Sequence, residues 1–153
     1  MNIQREVPIR HFLLGILFVV TNRLDTQLDK ELKEFGITSK QWFLSIALNN
    51  AFGHPPTMKE AAQQMGCSHQ NVKQVALKLQ EKGLLKMEKD ENDMRVTRMR
   101  LTEKSNEFWM GIHPKDVEFM EKVFGGIDEG DMEAAKKVLL QVIDNLEKMD
   151  ERN

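Results

Sequence analysis

Apolar positions recur at spacings of three and four along most of this chain, which is the pattern of helices that bury one stripe and wet the other. From about Ile9 to Phe35, the residues Ile9, Phe12, Leu13, Ile16, Val20, Leu24, Leu28 and Leu32 form one such stripe. Leu14, Leu17 and Phe18 add a second apolar surface on the other side, so the first half of this helix needs two covers. A chain of 153 residues has one core to offer. The pattern therefore predicts that a second copy of the chain supplies the other cover. Gly36 suits the position just past the end of this helix.

Two capping boxes follow. Thr38-Ser39-Lys40-Gln41 and Thr57-Met58-Lys59-Glu60 each place an amide or carboxylate three residues after a threonine, so that each side chain satisfies the other's backbone donor. The first opens a helix through Trp42, Ile46 and Leu48 that ends before the turn Phe52-Gly53-His54-Pro55-Pro56. The second opens a short helix, Met58 to Met65, with Ala61, Ala62 and Met65 inward and Gly66 to stop it. After a tight turn, Ser68 caps a further helix. Advancing about 100° per residue puts Val72, Val75, Ala76 and Leu79 on one side of it. Gln70, Gln74, Leu77 and Glu81 lie opposite, Asn71, Lys73 and Lys78 flank them, and Gly83 ends the helix. Two short helices about a glycine-containing turn make a helix-turn-helix.

The period then changes to two. Leu85 and Met87 alternate with Lys86 and Glu88, while Thr97, Met99 and Leu101 alternate with Val96, Arg98 and Arg100, around the polar turn from Lys89 to Met94. This predicts a β-hairpin with Arg98 and Arg100 on one face and Arg95 near the tip. Thr102 caps the next helix, which contains Phe108, Trp109 and Ile112. His113-Pro114 should kink or interrupt it, because a proline disfavours the α region in the residue before it. Helix resumes through Val117, Met120, Val123 and Phe124 until Gly125-Gly126. In the last helix, about Asp131 to Asp150, the residues Met132, Ala135, Leu139, Val142, Leu146 and Met149 form an a/d seam, widened by Leu140 and Ile143. The predicted fold is mainly α with a small β-hairpin wing: one compact chain, in which a winged helix-turn-helix over residues 37–102 is flanked by helical dimerisation segments, 1–36 and 103–153.

Charge sharpens this picture. The net charge of −2 is unevenly spread: residues 57–102 hold nine Lys/Arg against six Asp/Glu, while residues 103–153 hold seven against thirteen. Only the middle segment suits a polyanion, and its excess is modest. A helix-turn-helix followed by an arginine-bearing wing places its second helix in the DNA major groove and its wing against the backbone or minor groove. Gln70, Asn71 and Gln74 are the candidates for base edges, since their amides pair with adenine N6 and N7. Ser68, His69, Lys73 and Lys78 suit phosphates, which position without specifying. Arg95 suits a narrow minor groove, and Arg98 joins the candidate DNA contacts from the wing. Leu77 faces outward, toward a thymine methyl or the underside of the wing.

The remaining composition closes other routes. Cys67 is the only cysteine, which excludes an intrachain disulfide and fits a reducing, cytoplasmic setting, with Cys67 as a packing residue rather than a redox switch. The longest apolar run, Phe12 to Val20, is nine residues, against roughly 20 for a membrane span, and Met1 to Pro8 shows no leader pattern. His11, His54, His69 and His113 are scattered, so neither a metal nor a cofactor is expected. No nucleophile triad or phosphate loop stands out, so no enzyme is expected. His11, Phe18, Trp42 and Trp109 are candidates for a pocket holding a small aromatic effector, against the plainer reading of core aromatics.

Several segments resemble the MarR transcriptional regulators: Ile37-Thr38-Ser39-Lys40-Gln41-Trp42, Met58-Lys59-Glu60-Ala61-Ala62, Leu79-Gln80-Glu81-Lys82-Gly83-Leu84-Leu85, the wing Asp90-Glu91-Asn92-Asp93-Met94-Arg95, and Leu101-Thr102-Glu103-Lys104. The resemblance implies a homodimer with first and last helices interleaved, two winged helices on a pseudo-palindromic operator, and Asp93 ordering the wing while Arg95 reaches DNA. It also implies release of DNA by a small aromatic ligand or an oxidant. Ser105 departs from the family, which usually has glycine there. The sum is a homodimeric transcriptional regulator of double-stranded DNA, a repressor. The competing reading is a winged-helix module that binds protein without specific DNA contact, and a salt titration separates the two.

Overall fold

Each helix start in the winged region is held by the side chain the sequence provides for it. In the computed structural model, which describes residues 7–151, helix α1 runs Ile9–Leu32 and tightens into a 3-10 turn at Lys33–Phe35. Residues 1–6, most of the stretch read for a leader pattern, lie outside the described residues. Gly36 closes the turn at φ 69°, where a Cβ would be disfavoured. Helix α2 (Ser39–Asn50) and helix α3 (Met58–Met65) both start with complete capping boxes, Thr38 with Gln41 and Thr57 with Glu60. Helix α4 (His69–Glu81) is capped by Ser68, whose Oγ accepts from Asn71 N at 3.2 Å. Strands β1 (Leu85–Lys89) and β2 (Thr97–Leu101) pair antiparallel from Leu85–Leu101 to Lys89–Thr97. Helices α5 (Glu103–Phe124) and α6 (Glu129–Asp150) complete the chain.

Two compact units result, one extending to His113 and the other from Pro114 onward. In the first, Leu44 of α2, Ala61 and Ala62 of α3, Val72, Ala76 and Leu79 of α4, and Leu84, Leu85 and Met99 around the hairpin form one buried cluster. Burying each such leucine contributes about 1.5–3 kcal/mol, so the cluster fixes α4 against α2, α3 and the wing. A smaller cluster joins Leu32, Ile37 and Ile112, with Trp42 and Trp109 packed against it. Two carboxylates of α1 reach the start of α2: Asp29 Oδ1 accepts from Ser39 N at 2.7 Å, and Asp25 accepts from the Ser39 hydroxyl. Acids at a helix N-terminus complement its positive end. Thr102 acts twice, capping α5 through Ser105 N (3.2 Å) and donating to Gly83 O (2.7 Å), which ties the end of α4 to the start of α5. The buried Ser105, where the resembled family has glycine, has no hydrogen-bond partner for its Oγ among the described residues.

Of the kink or interruption expected at Pro114, no interruption occurs: α5 is continuous across it. Proline's own φ is helical, and the loss is one hydrogen bond plus crowding at the carbonyl four residues back, about 3 kcal/mol. The remaining backbone bonds of a 22-residue helix outweigh that. Helix α6 begins at Glu129, ahead of its first apolar residue, because Asp128 Oδ1 accepts from Gly130 N at 2.8 Å and Asp131 N at 3.3 Å. A polar first turn leaves no periodicity to read.

Apolar exposure is concentrated in α1 and α6. Phe18 is 67% exposed and Ile9 67%, and no described residue of α6 is buried. Leu139, Leu140, Ile143 and Leu146 of its seam all stand open.

Candidate nucleic-acid interface

Capping and core packing fix the rotation of α4. With Val72, Ala76 and Leu79 buried, the opposite face has no choice but solvent. Gln70, Asn71, Lys73, Gln74 and Lys78 are all exposed, as are Ser68 and His69 at the helix start. Leu77 lies on this same face and is exposed, so it does not pack under the wing. Ser68 spends one lone pair on its cap, which leaves its hydroxyl hydrogen for an outside acceptor. The structure thus brings together all seven polar residues expected from α4.

The wing tip is a built turn. Asp90 Oδ1 accepts from Asn92 N at 2.8 Å and Asp93 N at 3.0 Å, and Asp93 Oδ1 accepts from Arg95 N at 3.0 Å. Backbone bonds from Asp90 N to Val96 O and from Val96 N to Asp93 O, both 2.9 Å, close it. Asp93 therefore orders the stretch before Arg95, and Asp90 carries the first half of the turn. Arg95 Nε lies 3.3 Å from Asp93 Oδ1, yet 94% of its side chain is open to solvent. A fork held at its root and free at its end is suited to reach into a groove.

Arg98 has a different occupation. Its Nε donates to Asp90, its Nη1 donates to Pro55 O at 2.9 Å, and Nη1 lies 3.8 Å from Glu60 Oε2. It was expected on the DNA face; here its polar edge is turned to the protein. Glu60 is held from several directions: its Oε2 accepts from Thr57 N at 2.7 Å and its Oε1 lies 3.1 Å from His54 Nε2. The Thr57 backbone N–H, then His54, pull the Glu60 carboxyl down from 4.5 to about 2. Arg98, followed by the Asn92 and Asp93 amides, lowers the Asp90 carboxyl.

The sign of the Glu60 shift gives a prediction. A carboxylate whose folded pKa is depressed contributes stability that is fully present above the unfolded value, near 4.5, and is lost as pH falls toward about 2. Glu60→Gln should lower stability at neutral pH and flatten its decline between pH 4.5 and 2, as read by urea denaturation at several pH values. Equal declines in both proteins would mean that the Thr57 and His54 contacts do not discriminate the ionised form.

The four aromatic and histidine candidates for a ligand pocket are not gathered by one chain. Trp42 and Trp109 flank the Leu32–Ile37–Ile112 cluster. His11 and Phe18 are exposed on the N-terminal part of α1, and Phe18 is about 20 Å along the helix from Leu32 at 1.5 Å per residue. Cys67 is half-buried, and burial pushes its thiol up, away from the thiolate that oxidation needs. Among the described residues no group of three or more His, Cys, Asp or Glu is placed to hold a metal ion, and no helix is long and apolar enough to cross a membrane.

No protein-family model matches the chain. The transcriptional repressor MprA of Escherichia coli K12 is 22% identical over 147 residues, covering 95% of this chain and 84% of that protein. The crystal structure of the transcriptional regulator PA3341 is 26% identical, covers 88% of this chain and 98% of its own, and superposes with a TM-score of 0.74. AbsC of Streptomyces coelicolor, a MarR family transcriptional regulator, is 20% identical, covers 95% and 99%, and reaches a TM-score of 0.79. The chain has the winged helix-turn-helix fold of these MarR-type regulators. In the MarR-type frame, α3 and α4 are the helix-turn-helix and β1–β2 the wing. These relatives are transcriptional regulators by name.

Two features of this interface had different visibility. Asp90 was readable: an aspartate opening a polar turn, followed two residues on by Asn and three on by Asp, is an Asx-turn pattern. Pro55, Pro56 and Glu60 as partners of β2 were not readable, because they lie 38 to 43 residues from Arg98 or Met99. Met99 N donates to Pro56 O at 2.8 Å, and Thr57 bridges Arg98, so the segment before α3 runs alongside the wing.

Proposed function

We infer that this chain is a sequence-specific DNA-binding transcriptional regulator, a repressor that acts as a cytoplasmic homodimer on a pseudo-palindromic operator. The observation that carries the reading is the open amide-and-lysine face of α4 together with a hydrogen-bonded wing tip whose Arg95 side chain is 94% exposed. Gln70, Asn71 and Gln74 read base edges in the major groove; Ser68, His69, Lys73 and Lys78 hold phosphates; Arg95 enters the minor groove. Arg98 is left out of this set. The exposed apolar faces of α1 and α6 support a second copy as their cover. Residues 37–102 supply the DNA-binding part, with 1–36 and 103–153 supplying dimerisation. A small aromatic effector that releases DNA completes the reading, with His11, Phe18, Trp42 and Trp109 drawn together only by assembly of the dimer.

The test is selection of bound fragments from random duplexes, then affinity against salt, with and without phenolic ligands. Three cations per subunit at the DNA, Lys73, Lys78 and Arg95, give a log–log slope of about −5 for the dimer. No binding at low salt, or affinity indifferent to salt, would instead favour a protein-binding module. Two substitutions separate positioning from reading. Arg95→Ala should weaken the selected duplex about tenfold. Gln74→Ala should chiefly erase preference at one base pair per half-site, a change of about 1–3 kcal/mol between right and wrong base. A Gln74→Ala protein that loses the same factor on every sequence would place that side chain on a phosphate.

A further inference from the structure

Arg98 sits where three parts of the DNA-binding unit meet. Its Nε holds the Asp90 carboxylate, whose other oxygen organises the tip by accepting from Asn92 N and Asp93 N. Its Nη1 holds the Pro55 carbonyl and faces Glu60, the residue that closes the capping box of α3. Glu60 is in turn held by Thr57 N and faces His54. Among the described residues, the guanidinium is therefore the side chain that spans wing tip, preceding loop and α3. Lysine is a poor substitute, because its three donors all sit on one nitrogen, whereas Nε and Nη1 of the planar fork reach the carboxylate and the carbonyl from two fixed positions. The β1–β2 ladder alone ends at Lys89–Thr97, and a two-stranded hairpin is marginal by itself. Beyond that last pair, the tip is held by two backbone bonds and by the side chains of Asp93 and Asp90, and of these only Asp90 is tied to the rest of the domain through Arg98.

Building on the DNA-binding reading, we propose that Arg98 is a positioning residue: it locks the wing tip to the start of α3, and the affinity that Arg95 contributes depends on that lock. Arg98 does not touch DNA. Losing it leaves Arg95 present but unaimed.

The experiment is a double-mutant cycle on the selected duplex, by fluorescence anisotropy at several salt concentrations, with the wild type, R95A, R98Q and the double variant. Each single substitution should weaken binding about tenfold, and the double variant should bind within about twofold of either. The salt slope should fall by the same amount in all three. Losses that multiply, with a slope that falls twice as far in the double variant, would make Arg98 a direct phosphate contact and overturn the proposal. So would an R98Q protein that melts earlier but binds normally, because the role would then be stability alone. R98K should fail to restore binding; full rescue by lysine would show that charge, not the two-sided fork, is what matters. A readout without DNA separates this from the wider reading. In R98Q, amide order parameters over residues 91–96 should fall from rigid values near 0.85 to below about 0.6, with α4 unchanged. If the wild type binds no duplex, the DNA reading fails and the claim about Arg95 goes with it. An unchanged tip in R98Q removes the lock itself, whatever the duplex result.

Discussion

Replacing Leu139 and Leu146 together by glutamate is expected to convert a dimer into a folded monomer. The two side chains are 43% and 54% exposed in the single chain and sit seven residues apart on α6. Exposed helical positions tolerate substitution within about 0.5 kcal/mol, and glutamate is a good helix former, so the subunit itself should lose little. In a dimer that buries this seam, symmetry places four new carboxylates at the interface. An uncompensated buried charge costs about 3–5 kcal/mol, and every 1.4 kcal/mol is tenfold in dissociation constant. Even one such penalty would weaken association more than a hundredfold. The segment is already acidic, with thirteen Asp/Glu against seven Lys/Arg over residues 103–153, so no excess of cations waits to absorb the added charge. Sedimentation velocity reads the result, with circular dichroism to show that helix is retained. A variant that still sediments as a dimer would move the interface off α6. A variant that aggregates or loses helix would show that α6 is needed within its own subunit.

Much of the fold was legible because its signals are local. The capping boxes at Thr38 and Thr57, the Ser68 cap, and Gly36, Gly66 and Gly83 at helix ends each involve residues within a few positions of one another. The alternation in β1 and β2 set the hairpin register for the same reason. The errors lie where a local rule meets a longer context. Pro114 reads as a kink or interruption, yet α5 runs through it without interruption. The start of α6 precedes its apolar pattern, because Asp128 to Asp131 carries a cap but no apolar period.

The interface divides along the same line. The exposed face of α4 follows from one angle per residue and was legible in full. The tip was legible in Asp93 and Arg95, two positions apart, and could have been read in Asp90. Arg98 was not legible in its role. Alternation places it on the same side of β2 as Arg100, but Arg100 faces Glu88 across the strand pair at 3.5 Å whereas Arg98 also turns to Pro55 and Glu60, brought there only by tertiary folding. The aromatic candidates are not gathered within one chain for a related reason: periodicity puts Phe18 and Leu32 on one helix but does not bring together residues at its two ends.

The second large effect contrasts two leucines on one helix. Leu79→Ala should destabilise the protein by about 2–5 kcal/mol, because Leu79 is fully buried and packs in the cluster that includes Leu44, Val72 and Met99. In a protein of this size each kcal/mol lowers the melting temperature by roughly 2–4 °C, so a drop of about 10 °C is expected. Leu77→Ala, the same deletion two residues earlier, removes a side chain that is 41% exposed on the opposite face. Its stability should stay within about 0.5 kcal/mol of the wild type. Its effect should appear on DNA instead, as weaker discrimination for thymine at one position of the half-site, since an apolar side chain on this face meets the thymine methyl. Urea denaturation measures the first contrast, through a midpoint that shifts while the slope holds. Duplexes carrying thymine or uracil at that position, which differ by the methyl alone, measure the second. If Leu77→Ala destabilises as much as Leu79→Ala, then α4 is rotated about its axis from the orientation described. Gln70 and Gln74 would then turn inward with Leu77, and no amide face would be left for a base to meet.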